Sequence, residues 1–384
     1  MSQWILHKEV KDIEYSLTEQ IAQVKINTTK YTAVRLYNDI GEVASGYNYD
    51  FKINIESNSQ IKIFYIFYDE NQQEYCKGYL KNIDTVMVPE GAVTGKIEVL
   101  ILSDKFGKTI ISGLEFKKTD RTPKRKVKIV SIPYGNYGME LKRVEENYLN
   151  IEKDIDNASE YNPDIMVLTE CVFHTRILPE EYRILNTLDD KYVSLLKEKA
   201  KEYNSYIVTS IRMNDDDGNL RNAGILIDRN GEIKGVHYKS HLTIGEYEEG
   251  MLPGDEIDVY ETDFGKVAIL ICWEHFFPEA VRLAMLKGAE ILLVPTHGFK
   301  KERIQTRANE IGCYAVTSQY KDGTVIVNPL GEIIGDCSDS QYAVSEIDLN
   351  SHLFAPWLSC NSKALPNNIY INERRKEIYN MLTE

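Results

Sequence analysis

The stretch from Gly265 to Thr296 constrains the fold more than any other part of the chain. It reads as strand, tight turn, helix, strand. Val267 to Ile271 is a short apolar run suited to a buried strand, and Cys272 follows at its end. Pro278 sits where a first helical turn tolerates proline. Val281, Leu283, Ala284 and Leu286 continue an apolar helical face, Gly288 stops it, and Ile291 to Val294 is a second buried run. A Cys at a strand end, just before a helix, stands where α/β folds place working groups. A free Cys is as readily an inert core residue, so the local pattern leaves both roles open.

The same alternation extends from Val127 to about residue 347. Strands are expected at Val127–Ile132, Asp164–Thr169, Tyr206–Ile211, Ala223–Ile227, Ile233–Tyr238, Ile257–Glu261, Tyr314–Ser318, Thr324–Asn328, Ile333–Gly335 and Tyr342–Ile347. Helices are expected at Met139–Tyr161, Lys191–Tyr203 and Lys301–Cys313. Asp228-Arg229-Asn230-Gly231 and Asn328-Pro329-Leu330-Gly331 read as hairpin turns. Crossover helices together with hairpins imply a mixed sheet covered by helices.

Residues 1–120 differ. Six candidate strands, from Val24–Ile26 to Lys96–Leu102, are separated by Gly, Asn and acidic turns, with no helical period. Ile61 to Tyr68 is apolar on both faces, as a central strand would be. This is expected to be a β-sandwich of jelly-roll type. Its tyrosines make it a candidate carbohydrate or peptide binder, with cross-strand packing as the plainer reading. Lys117 to Lys128, rich in charge and holding Pro123, reads as the linker, centred on residues 121–126. A larger domain of alternating strands and helices then spans 127–350, and a tail, 351–384, ends in a short helix over Asn372–Leu382.

Chain length decides in favour of more than one core, since 384 residues exceed what one usually holds. A net charge of −14 argues against a nucleic-acid partner, which needs a basic face. No apolar run approaches the roughly 20 residues of a membrane span. The N-terminal residues lack a signal-peptide hydrophobic segment. Six scattered Cys do not form a disulfide framework, so a reducing cytoplasm is the expected setting.

Three polar residues close apolar strands: Glu170 after Val167-Leu168-Thr169, Lys239 after Val236-His237-Tyr238, and Cys272 after Ile271. Brought together they suffice for acyl transfer, with a thiol nucleophile, a carboxylate to take its proton and an ammonium to hold an oxyanion.

In order along the chain, several segments resemble the carbon–nitrogen hydrolase (nitrilase) superfamily over about residues 126–350. They are Pro163 to Glu170, Tyr238-Lys239-Ser240-His241-Leu242, Glu249-Gly250-Met251-Leu252-Pro253-Gly254-Asp255, Cys272-Trp273-Glu274-His275-Phe276-Phe277-Pro278-Glu279, and Arg307 to Glu310 with Tyr314-Ala315-Val316. The resemblance implies a four-layer α-β-β-α sandwich that dimerises through helices beside the active site. It implies Glu170 as general base and acid, Lys239 and the backbone N–H of Trp273 as oxyanion holders, Cys272 as nucleophile and Glu249 as the second glutamate. Glu246 and Glu248 lie close by, and Glu249 is preferred because Glu249-Gly250 precedes Pro253-Gly254 at the family's spacing. It implies no metal and no organic cofactor. The substrate implied is a small linear amide or carbamoyl compound, with a nitrile, or transfer of the acyl group to an amine, as alternatives. A ligand-binding or scaffold protein built on the N-terminal module is the alternative of another class.

Phe173, His174, His275, Phe276 and His297 are expected on loops bordering the pocket, as candidate substrate contacts. His275 is three residues from Cys272, but Cys–His enzymes bring their His from elsewhere in the chain. Cys171, His174, His237 and His241 lack the tight pairing of a closed zinc site. Cys313 and Cys337 are expected to be packing.

Overall fold

The computed structural model describes residues 3–135, 139–298 and 300–379. The chain divides into two compact units, one of Met1–Pro123 with His352–Glu384 and the other of Lys124–Ser351.

The first unit holds two five-stranded sheets, every pairing antiparallel. One runs Ile5–Leu6, Thr32–Glu42, Thr94–Ser103, Gln60–Tyr68, Glu74–Leu80; the other runs Ile13–Leu17, Ile21–Ile26, Gly107–Arg121, Tyr47–Ser57, Ile83–Met87. Strict alternation does the work in Ile21–Ile26, where Ala22, Val24 and Ile26 point inward. They meet Val34, Leu36, Val99 and Phe67 of the other sheet in one apolar core.

Two expectations are corrected here. The charged stretch from Lys117 is not yet linker: Lys117, Lys118 and Arg121 pair with Asp50, Tyr49 and Tyr47 as the end of the longest strand. That ribbon end is exposed, so charge there signals a solvated strand and not a break. The tail does not stand apart either. Strands Ala355–Trp357 and Ser362–Ala364 and helix Pro366–Asn372 lay Trp357, Ala364 and Ile369 over Phe64 and Tyr79. This explains why Ile61 to Tyr68 is apolar on both faces: Ile63, Tyr65 and Phe67 serve the core, and Phe64 serves the tail. The helix begins at Pro366, which suits a first helical position, instead of Asn372, and residues 380–382 of the expected helix lie outside the described residues.

The second unit is built on two six-stranded sheets of one plan. The first is ordered Ile233–Tyr238, Leu220–Ile227, Tyr206–Asn214, Ile165–Val167, Lys126–Ser131, Ala343–Asp348; the second Val259–Glu261, Lys266–Ile269, Ile291–Pro295, Tyr314–Ser318, Val325–Val327, Ile333–Asp336. In each, three neighbouring strands are parallel and the flanking pairs are antiparallel. Helices Val144–Ser159 and Lys191–Glu202 bury Val144, Ile151, Ile155, Val193 and Leu196 against the first sheet. Helices Pro278–Leu286 and Lys301–Ile311 follow strands of the second.

The sheets approach each other closely. A Cβ added at Gly224 would sit 2.7 Å from Ile269 Cγ2. Ser131 Oγ donates to the carbonyl of Thr317 at 2.8 Å, and Thr169 Oγ1 donates to that of Thr296 at 2.6 Å. Both hairpin turns close on a glycine at positive φ, Gly231 at 80° and Gly331 at 83°, each beside a register shift.

Candidate active site

Glu170, Lys239 and Cys272 follow, by a few residues or directly, the strands Ile165–Val167, Ile233–Tyr238 and Lys266–Ile269. The chain leaves two of these strands abruptly. Cys171 and Cys272 are both left-handed, with φ of 42° and 47°. For a non-glycine residue this costs about 1–2 kcal/mol and marks a conformation that the surroundings must enforce. At Cys272 it swings the chain from the strand into the turn Cys272–Phe276, within which backbone N–H groups have no helical partner at the start.

The three side chains converge. Lys239 Nζ, almost fully buried, donates to Glu170 Oε1 at 2.9 Å. The Cys272 thiol lies near enough to the same carboxylate for each to shift the other's titration. Thr169 ties the Glu170 strand end to Thr296, and the sulfur is faced by the Thr296 hydroxyl and the backbone of His297. Burial alone would raise the Glu170 pKa, but Lys239, His297 and the thiol outweigh it and hold the carboxyl below the ordinary range. Burial likewise opposes charge on Lys239, yet Glu170, Cys272 and Glu246 keep its pKa high. Burial, helped by the charge of Glu170, pushes the Cys272 thiol up to about 12, against the pull of Lys239. At neutral pH the resting groups are therefore carboxylate, ammonium and thiol.

The second glutamate beside Lys239 is Glu246, not Glu249. Lys239 Nζ reaches both Glu246 oxygens at 2.9 Å, whereas Glu249 is 43 % exposed and takes Arg212 Nη1 at 2.6 Å. The reason is local. Thr243 and Glu246 form a reciprocal cap at the start of helix Ile244–Glu248, which turns Glu246 inward and leaves Glu249 at the outer end. The Thr-x-x-Glu spacing is visible in the sequence and would have found it. Asn222 is a residue the sequence did not single out. Its buried Nδ2 donates to Glu170 Oε1 at 3.0 Å and to Glu246 Oε1 at 2.8 Å, bridging the two carboxylates.

The expected pocket-border residues fare unequally. Phe173 is fully buried and packs against Tyr192, with ring centroids 5.3 Å apart, so it is core. His174 is buried, its Nε2 lies 2.6 Å from the Ile184 carbonyl, and burial pushes its pKa down to about 4. His275 is buried as well; its Nδ1 donates to the Cys272 carbonyl, and burial again brings it to about 4. In each, the bonded ring nitrogen faces a backbone carbonyl. Phe276 lines a cavity of about 570 Å³ with Lys300, Arg303 and Arg307, a lining that includes none of Glu170, Lys239 and Cys272, and His297 is half-buried next to the sulfur. Trp273 is 38 % exposed. Cys313 is buried with its Sγ on the Ala289 carbonyl at 3.1 Å.

A family model described as carbon-nitrogen hydrolase matches residues 132–357. The chain is 34% identical over 228 residues to a probable hydrolase, YhcX, of Bacillus subtilis (strain 168), covering 54% of this chain and 42% of that protein. It is 27% identical over 274 residues to a nitrilase of Pyrococcus abyssi, covering 65% and 99%. It is 35% identical over 161 residues to a citrullinase of Francisella tularensis, covering 39% and 56%. The match thus spans under half of the Bacillus protein and just over half of the citrullinase. Among solved structures, a carbon-nitrogen hydrolase from Helicobacter pylori G27 superposes with a TM-score of 0.56 at 20% identity, over 68% of this chain and 99% of that one. Among the described residues no helix is long and apolar enough to cross a membrane.

Proposed function

The chain belongs to the carbon–nitrogen hydrolase family, and from that premise we propose that it cleaves the non-peptide C–N bond of a small linear amide or carbamoyl compound through a thioester on Cys272. One observation carries the reading: a buried ammonium hydrogen-bonds the carboxylate of Glu170, and the Cys272 thiol stands beside that pair.

In the reaction Glu170 takes the thiol proton as sulfur attacks the carbonyl carbon. A C–S bond forms, and the carbonyl electron pair moves to oxygen. Because the thiol is protonated at rest, proton transfer accompanies attack. The oxyanion is held by Lys239 and the Trp273 N–H. Its collapse breaks the C–N bond, and Glu170 returns the proton to the departing ammonia or amine. Glu170 then deprotonates a water, which attacks the thioester; the acid leaves and the proton returns to sulfur. Glu246 and Asn222 hold the ammonium and the base in place.

The names of the relatives support amide and carbamoyl substrates first and a nitrile second, since citrullinase and nitrilase both occur among them. An acyl transfer to an amine would use the same thioester. We read the two sheets with their outer helices as an α-β-β-α sandwich, the first unit as a β-sandwich whose tyrosines serve packing, with a carbohydrate or peptide ligand as the alternative, and the working form as a cytoplasmic homodimer. No disulfide joins the described cysteines, which suits a reducing compartment.

Mass spectrometry of the intact chain after incubation with matched amides, carbamoyl compounds and nitriles tests this. A covalent acyl adduct on Cys272 is expected, with release of ammonia or amine, and Cys272→Ala should abolish turnover while keeping the fold. Full turnover by that variant would sink the proposal.

A further inference from the structure

We propose that Glu274 is a positioning residue that registers the ammonium of Lys239 against the sulfur of Cys272, a role that rests on the hydrolase reading of the site. Lys239 and Cys272 follow strands of different sheets. Between the chain segments that carry them lies the carboxylate of Glu274, which is fully buried.

Each oxygen of that carboxylate holds one of the two segments. Oε1 accepts from the Ser240 backbone N–H at 2.7 Å and from the Ser240 hydroxyl at 2.6 Å. Oε2 accepts from the Ile271 backbone N–H at 2.6 Å. Ser240 is the residue after Lys239, and Ile271 is the residue before Cys272. His237, on the Lys239 strand, bonds both oxygens through Nε2 at 3.1 and 3.0 Å. Its other nitrogen, Nδ1, lies 3.4 Å from Asp258 Oδ2. One carboxylate therefore joins the chain neighbours of two reacting groups, and a buried imidazole balances its charge.

A buried carboxylate is costly unless fully hydrogen-bonded. Packing alone would not place one here, and an apolar side chain of similar size would fill the space without tying either backbone. What the carboxylate adds is a fixed distance between two loops whose side chains must meet within a few tenths of an ångström.

The test compares wild type with Glu274→Gln and Ser240→Ala by two readouts. The first is the rate at which iodoacetamide alkylates each cysteine at pH 8, followed by peptide mass spectrometry. The second is kcat and KM on an amide that wild type turns over. Misregistration should slow alkylation of Cys272 about tenfold in Glu274→Gln and less in Ser240→Ala. Buried Cys76, Cys171 and Cys313 should stay as protected as in wild type. On the amide, kcat should fall with KM little changed. A merely structural role would instead speed alkylation at all four positions, and that result overturns the proposal. So do wild-type rates in both variants, or in Ser240→Ala if Glu274→Gln does not fold. A wild type that forms no acyl adduct while Cys272 alkylation still slows in the variants would sink the hydrolase reading and leave the brace standing.

Discussion

At Lys239 one buried ammonium serves two carboxylates, Glu170 and Glu246, and Asn222 bridges the same pair from the other side. Removing the charge of Glu246 breaks a charge-assisted hydrogen bond of about 2 kcal/mol, or roughly thirtyfold in rate. Glu246→Gln should therefore lower kcat/KM by roughly that factor, while Glu249→Gln, which loses a pair with Arg212 away from the reacting groups, on a glutamate that is 43 % exposed, should stay within about twofold. Steady-state kinetics on one amide distinguishes them, and the reverse order would restore Glu249 to the site. Glu170, Lys239 and Cys272 were legible because each interrupts or closes an apolar run, where a polar residue has no packing reason to be. Glu246 is masked by Glu248 and Glu249 close after it, and only its spacing from Thr243 marks the cap that turns it inward. Asn222 was hidden inside a strand, where one amide looks like any other polar position.

Among elements, the strand end at His237 carries a pH dependence. Burial would lower the imidazole pKa, but Glu274 and, on its far side, Asp258 raise it to about 9; Lys287 and Tyr260 act on Asp258. A raised pKa means that the protonated imidazole stabilises the fold. That contribution is complete below the unfolded value of about 6.5 and is lost as pH rises to about 9. Thermal melting of wild type should therefore weaken over that interval, and His237→Gln should flatten the slope. An unchanged slope in the variant would show that another group titrates there. Strands and helices of the second unit were readable from period and length because their faces are sorted by burial. The first unit is less legible. Ile13–Leu17 and Glu74–Leu80 carry too few apolar residues to stand out, and the latter is completed by a tail segment far away in sequence.

For the whole molecule, the decisive feature is that the first unit is discontinuous. Its outer strand Glu74–Leu80 is capped from beyond residue 351: the Asn368 side chain bonds both the N–H and the carbonyl of Tyr79, at 2.8 and 3.3 Å, as a neighbouring strand would. Trp357, packed on Phe64 and Tyr79 and donating to Glu373 Oε1 at 3.2 Å, anchors that cap. Trp357→Ala should cost about 3–5 kcal/mol. In calorimetry it should lower the melting of the first unit alone, with turnover at lower temperature unchanged; a single shared transition that moves as one would show that the units do not unfold separately. The division also governs biogenesis. While the ribosome translates Lys124–Ser351, roughly 10–50 s at about 5–20 residues per second, the nascent chain displays an open β edge that nothing yet made can cover, and that interval is when this chain most needs a chaperone.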